Sequence, residues 1–211
     1  MLYQKRILGI LCILLVPLSV GFGFLGRETN LPGWYLSISA TYYANSKIFM
    51  IGLLSAISVF LFSYQCYDWK DRLVTVIEAI ASLGIIVFPC LTPGIPERVG
   101  LFSLSNSVSN VFHCLFACIL FYAFATQVTF LFTKSGPNPS AKKLVRNKIY
   151  RICGIIIYVF ITWQIAMSAF SLVPASFPMT LINEFIMLVA YGFCYLVKSE
   201  SVAKFNDIKI N

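Results

Sequence analysis

Six long apolar runs, joined by loops of no more than about twenty residues, leave this chain few ways to fold. They fall at about 7–25, 48–67, 73–91, 108–133, 152–173 and 180–197. A run of about 18 or more apolar residues with few charges is what a helix needs to cross the hydrocarbon core of a bilayer. Inside that core every backbone N–H and C=O must find a partner within the protein, which selects helices. The sequence therefore predicts an all-α fold: a polytopic membrane protein with a six-transmembrane-helix bundle as its single domain over 1–211. Composition agrees, with 59% hydrophobic and only 11% charged residues, against about 25% charged in soluble domains.

The first run could be mistaken for a signal peptide because Lys5 and Arg6 precede it. A signal peptide has an apolar core of only about 7–15 residues and a small-residue cleavage site after it. Neither is present around Phe24, so the run is expected to be a retained helix. Charge then orients the bundle. With both termini on one side, that side holds thirteen Lys and Arg, six of them in the basic loop 134–151, and the other holds only Arg27, Lys47 and Arg98. Basic residues stay on the cytoplasmic side, so N- and C-termini are expected in the cytoplasm, here beneath a bacterial inner membrane. The formal net charge of +8 is thus accounted for by topology and attraction to anionic lipid headgroups. Nucleic acid has no part in this reading.

The loop 31–47 on the opposite side is unusual. It carries Trp34, Tyr35, Tyr42 and Tyr43, with Ser37 and Ser39 between them, after the break at Pro32-Gly33. Trp and Tyr favour the membrane–water boundary, where the ring is sheltered and its polar atom stays wet. The segment is expected to lie as an aromatic lid over the outer ends of the helices.

Ionisable residues inside spans are costly and commonly mark function. Three occur: Glu78, His113 and Glu184. Glu78 is expected near the cytoplasmic end of the third helix, where its side chain would reach the interface. His113 and Glu184 are expected at similar depth beneath the lid. Asn110 shares a helix face with His113, and Gln164, Ser168 and Ser171 form a polar stripe on the fifth helix. The sequence thus predicts an outward pocket of His113, Glu184, Gln164, Asn110, Ser37, Ser39, Tyr42, Tyr43 and Trp34. The alternative is plain packing, with the polar groups acting as interhelical hydrogen bonds worth about 0.6 kcal/mol each.

Several chemistries are excluded or unsupported. The seven cysteines lie almost wholly inside the runs and contain no Cys-x-x-Cys, so they read as small buried hydrophobes rather than metal ligands. One histidine in the whole chain rules out a three-histidine zinc hydrolase and a haem held by two histidines of one chain. There is no Gly-x-Ser-x-Gly and no His-Glu-x-x-His. No cofactor or metal is expected, and enzymatic activity has no positive support.

Ser37-Ile38-Ser39-Ala40-Thr41-Tyr42-Tyr43, the turn Tyr67-Asp68-Trp69, His113 at the head of the fourth helix, and the basic stretch before the fifth together make a pattern. It resembles a group of uncharacterised bacterial six-helix membrane proteins. It is remotely similar to the damage-regulated autophagy modulator and GPI-anchor-remodelling membrane proteins. The resemblance implies six helices, a functional outer loop and, more faintly, a role connected with lipids. Three functions are carried forward. First is binding or sensing of a lipid or small amphiphile in the outward pocket; second, an oligomeric pore or membrane-disrupting effector; third, an intramembrane lipid-modifying enzyme. The expected partners are membrane lipids and, for the second, further copies of the chain as a homo-oligomer.

Overall fold

A computed structural model describes residues 2–26, 32–174, 176–202 and 205. Arg27 and Leu31 of the outer segment, with Lys204 and Lys209 of the tail, lie outside the described residues. The chain is all-helical, with six helices making up most of 72% helical residues. They are α1 (Leu2–Leu25), α2 (Lys47–Phe62), α3 (Trp69–Val87), α4 (Asn106–Thr126), α5 (Ala141–Phe170) and α6 (Met179–Lys198). A two-residue ribbon pairs β1 (Arg98–Val99) with β2 (Leu104–Ser105) in the α3–α4 connection.

Each helix packs on the next, and α1 closes on α6, so the six form a ring in chain order. Short connections force neighbours to run antiparallel. Both chain ends therefore meet at one end of the bundle, where Arg6 Nε donates to Ser201 Oγ at 2.7 Å. This is the basic end; the segment 32–46 covers the other, the loop end. The α1–α6 seam is tight because glycines face each other: a Cβ on Gly192 would stand 2.6 Å from the Gly9 carbonyl oxygen.

Four helices are long and apolar enough to cross a membrane: α1, α4 with its continuation to Leu131, α5 and α6. At 16 residues, α2 is about 24 Å long at 1.5 Å per residue, short of a bilayer core of about 30 Å. In α3, Lys70, Asp71, Arg72 and Glu78 raise the charge count. Apolar side chains fill the core and, unlike in a soluble protein, cover much of the outside as well. Only 28% of the apolar stretch of α5 is buried, and Ile152, Ile155 and Val159 point outward. Glu78, Ser58, Ser82, Thr75 and Asn183 are inside. An apolar exterior with polar groups drawn into the apolar core is the arrangement a lipid solvent rewards.

Helix boundaries differ from the sequence reading where caps decide them. Asp68 accepts from the Asp71 amide at 3.0 Å, which starts α3 at Trp69 rather than Leu73. Ser140 accepts from the Lys143 amide at 3.0 Å and starts α5 at Ala141. Much of the basic loop 134–151 is thus the first turns of a 30-residue helix. At the other end of α2 the helix stops at Phe62, and 63–68 is an open turn.

Candidate functional site

Polar groups gather at three levels of the bundle. At the loop end, the segment 32–46 is docked rather than draped. Trp34 is 4% exposed and packs with Val20 and Ala44, its ring filling the space a Cβ on Gly23 would need. A 3-10 turn spans Ser39–Tyr43, held by Ala40 N–H on Ser37 Oγ at 3.0 Å and by Thr41 Oγ1 on the Ile38 carbonyl at 2.6 Å. Glu184 anchors it: Oε2 accepts from Ile38 N–H at 2.6 Å and Oε1 from Ser39 Oγ at 3.4 Å. Tyr43 donates to the Cys90 carbonyl at 2.9 Å, and Tyr42 stacks edge-on against Tyr43 at 5.1 Å.

His113 and Asn110 face elsewhere. His113 Nδ1 lies 2.8 Å from the Phe88 carbonyl, and Asn110 Oδ1 accepts from Leu91 N–H at 2.8 Å. With Ser109 donating to the Pro89 carbonyl at 2.8 Å, they satisfy the open backbone at the end of α3. Gln164 belongs to a third set: its Oε1 accepts from Asn183 Nδ2 at 2.7 Å and its Nε2 donates to Thr180 Oγ1 at 3.1 Å. The sequence-predicted residues thus form three separate hydrogen-bonded groups, and only Glu184 and Ser39 of that set are joined to each other across helix and loop. The cavity beside Glu184 measures about 30 Å³, room for water and not for a lipid. An uncharged groove of about 460 Å³ opens next to it, lined by Leu36, Ser168, Ser171, Phe177 and Thr180.

In the middle of the bundle sits a cluster the sequence reading undervalued. Glu78 is the tenth of the nineteen residues of α3, and it is 0% exposed. The expectation that it lies near the helix end and reaches the interface is therefore wrong, because the Asp68 cap adds a turn before it. Its Oε2 accepts from Gln127 Nε2 at 3.1 Å and lies 3.1 Å from Tyr191 Oη. Gln127 Oε1 in turn lies 2.9 Å from Tyr191 Oη and 3.0 Å from Tyr195 Oη. Tyr191 and Tyr195 are both 0% exposed, and Gln127 2%. Gln127 opens a π-helical stretch, Gln127–Leu131, in which Phe132 N–H reaches back five residues to the Gln127 carbonyl at 2.9 Å. Such single-turn widenings recur at functional sites. Glu78 Oε1 has no partner among the described residues.

The basic end holds a cavity of about 760 Å³. Its cations are Lys5, Lys134, Lys143, Arg146 and Lys198, against the acids Asp68 and Glu200. Lys134 is paired, donating to Asp68 Oδ2 at 2.8 Å and Asp71 Oδ1 at 2.7 Å; the Lys134 ammonium, with the Asp71 amide, holds the Asp68 carboxyl below its ordinary value. Lys143 donates to the Phe132 carbonyl at 2.9 Å. Arg146 donates to the Phe205 carbonyl at 2.6 Å. Lys5 and Lys198 have no ion pair among the described residues. Instead Lys198 Nζ stands 4.0 Å over the Phe132 ring, and Lys5 Nζ 6.0 Å over Tyr64. Lys5 is only 7% exposed. Aromatic faces stabilise ammonium groups but leave their hydrogen-bond capacity open. Phe132, Tyr150 and Tyr195 pack edge-on at 5.5 and 5.0 Å, an aromatic wall between this cavity and the Glu78 cluster.

No cluster of three or more His, Cys, Asp or Glu able to hold a metal occurs among the described residues. The sequence did carry a signal for the core cluster: Tyr191 and Tyr195 are one turn apart on one face, and Gln127 is an amide deep in an apolar run. No protein family, curated protein or solved structure matches the chain.

Proposed function

We propose that this protein is a six-crossing membrane protein that binds an anionic amphiphile, its headgroup seated in the basic cavity. One observation carries the reading. Five cations line a cavity of about 760 Å³ against two acids, Asp68 and Glu200, and two of the cations, Lys5 and Lys198, close no ion pair among the described residues. Withdrawing an ammonium from water without an anion is costly, and a phosphate or carboxylate headgroup supplies both charge and acceptors. Exposed Leu2, Tyr3, Tyr67 and Trp69 surround this end of the bundle, a surface suited to an acyl chain and to the headgroup layer. Charge asymmetry supports a cytoplasmic placing of this end, and in this reading α2 and α3, packed on each other as members of the ring, complete six crossings. The layout's resemblance to bacterial six-helix proteins supports a bacterial inner membrane. The amphiphile of the sequence reading is retained, and its headgroup moves from the outer to the inner end.

The test is native mass spectrometry of the protein released from micelles containing equal phosphatidylglycerol and phosphatidylcholine. Wild type is expected to retain the anionic lipid at least about tenfold over the zwitterionic one, a difference of about 1.4 kcal/mol. The double variant Lys5→Gln, Lys198→Gln is expected to lose that preference while keeping its melting temperature within a few degrees. Equal retention of both lipids by wild type would overturn the reading.

A further inference from the structure

The Glu78 cluster raises a question of proton count. Three oxygen–oxygen contacts link it: Glu78 Oε2 to Tyr191 Oη at 3.1 Å, Tyr191 Oη to Gln127 Oε1 at 2.9 Å, and Tyr195 Oη to Gln127 Oε1 at 3.0 Å. Each contact needs one proton between its oxygens. The two phenols supply two, and the amide oxygen and an ionised carboxylate supply none. One contact would then set lone pair against lone pair in the driest part of the protein. Reversing the Gln127 amide does not help: its oxygen would face Glu78 Oε2 at the 3.1 Å now spanned by Nε2, again two acceptors. In either arrangement the missing proton belongs on Glu78.

Its surroundings agree. The titratable groups facing Glu78 are Cys12 of α1, Tyr64 and Cys66 of the α2–α3 turn, and Tyr191 and Tyr195 of α6. None is a cation, and no ion pair reaches Glu78 among the described residues. A buried carboxyl without a counter-ion takes up a proton rather than remain charged.

We infer that Glu78 is an intramembrane proton-binding site, its proton held in a hydrogen bond to Tyr191 within the cluster that Gln127 and Tyr195 complete. With the proton on Oε2, Glu78 donates to Tyr191, and Tyr191 and Tyr195 both donate to Gln127 Oε1. Gln127 Nε2 still donates to Oε2, so every contact is filled. Tyr195 closes the cluster one turn before Lys198, at the aromatic wall of the basic cavity. The π-helical turn matters because it swings Gln127 to a register where its amide meets all three partners.

The experiment is infrared spectroscopy of the full chain in nanodiscs at neutral pH, read as difference spectra between variants. Wild type minus Glu78→Gln is expected to show a protonated-carboxyl C=O band that shifts in D₂O. Wild type minus Glu184→Gln is expected to leave that band in place. Tyr191→Phe, which removes the acceptor of the proton, is expected to move it to higher frequency. If Glu78→Gln fails to fold, the Tyr191→Phe shift decides the matter alone. A carboxylate band in place of the C=O band, or a C=O band unmoved in Tyr191→Phe, would overturn the assignment. Appearance of the C=O band only when sodium is removed would also overturn it, making the site a metal-cation site.

Discussion

Gly192→Ala is the sharpest perturbation of the α1–α6 seam that closes the ring. The new Cβ would lie 2.6 Å from the Gly9 carbonyl oxygen, 2.8 Å from Ile13 Cγ1 and 3.2 Å from Cys12 Cβ. Ordinary contact begins near 3.4 Å, so α1 and α6 must separate locally by about 0.8 Å (3.4 less 2.6). The colliding oxygen is backbone and cannot rotate away. A gap of about 0.5–1 Å forfeits a quarter to a half of the dispersion well of each affected contact, and overpacking of this kind costs about 1–3 kcal/mol. Alanine also gains helix propensity over glycine, about 0.8–1.0 kcal/mol, which must be subtracted. Gly52→Ala provides that subtraction, because a Cβ there meets nothing within 4 Å. At about 2–4 °C per kcal/mol for a chain of this size, Gly192→Ala should melt about 2–12 °C below Gly52→Ala. The assay is thermal unfolding in detergent followed by tryptophan fluorescence. Equal or higher stability of Gly192→Ala would refute the close glycine contact and the ring closure built on it.

Two further outcomes test the loop end. His113→Ala removes the partner of the Phe88 carbonyl and is expected to lower stability by about 1–3 kcal/mol, read as a fall in melting temperature. Anionic-lipid retention should be unchanged, since the histidine serves the end of α3 far from the basic cavity; loss of lipid retention would instead restore His113 to a binding role. Glu184→Ala removes the carboxylate that holds Ile38 N–H and Ser39 Oγ. Leaving the Ile38 N–H without its acceptor costs about 1–3 kcal/mol, so proteolytic cleavage within 32–46 should quicken about fivefold or more. An unchanged cleavage rate would mean that Trp34 alone seats the loop.

The sequence by itself determined the solvent and the class of fold. Apolar runs of bilayer length, and the concentration of Lys and Arg at one end, leave an all-helical membrane bundle as the only outlet for so much apolar surface. It also picked out the residues whose burial needs explanation, since Glu78, His113 and Glu184 are legible as ionisable residues in apolar runs. Partnership was decided only by the tertiary structure, for a physical reason. Hydrogen bonds act over about 3 Å, whereas hydropathy fixes helix depth only to within a turn or so. His113 and Glu184 at similar depth were thus equally compatible with one pocket or with separate tasks, and the ring assigns them to Phe88 and to the 32–46 segment. A cap at Asp68 moved Glu78 to the centre of its helix, and a π-helical turn that no propensity announces brought Gln127 to it. Lys5 and Lys198, 193 residues apart in the chain (198 less 5), became neighbours on one cavity only because α1 closes on α6.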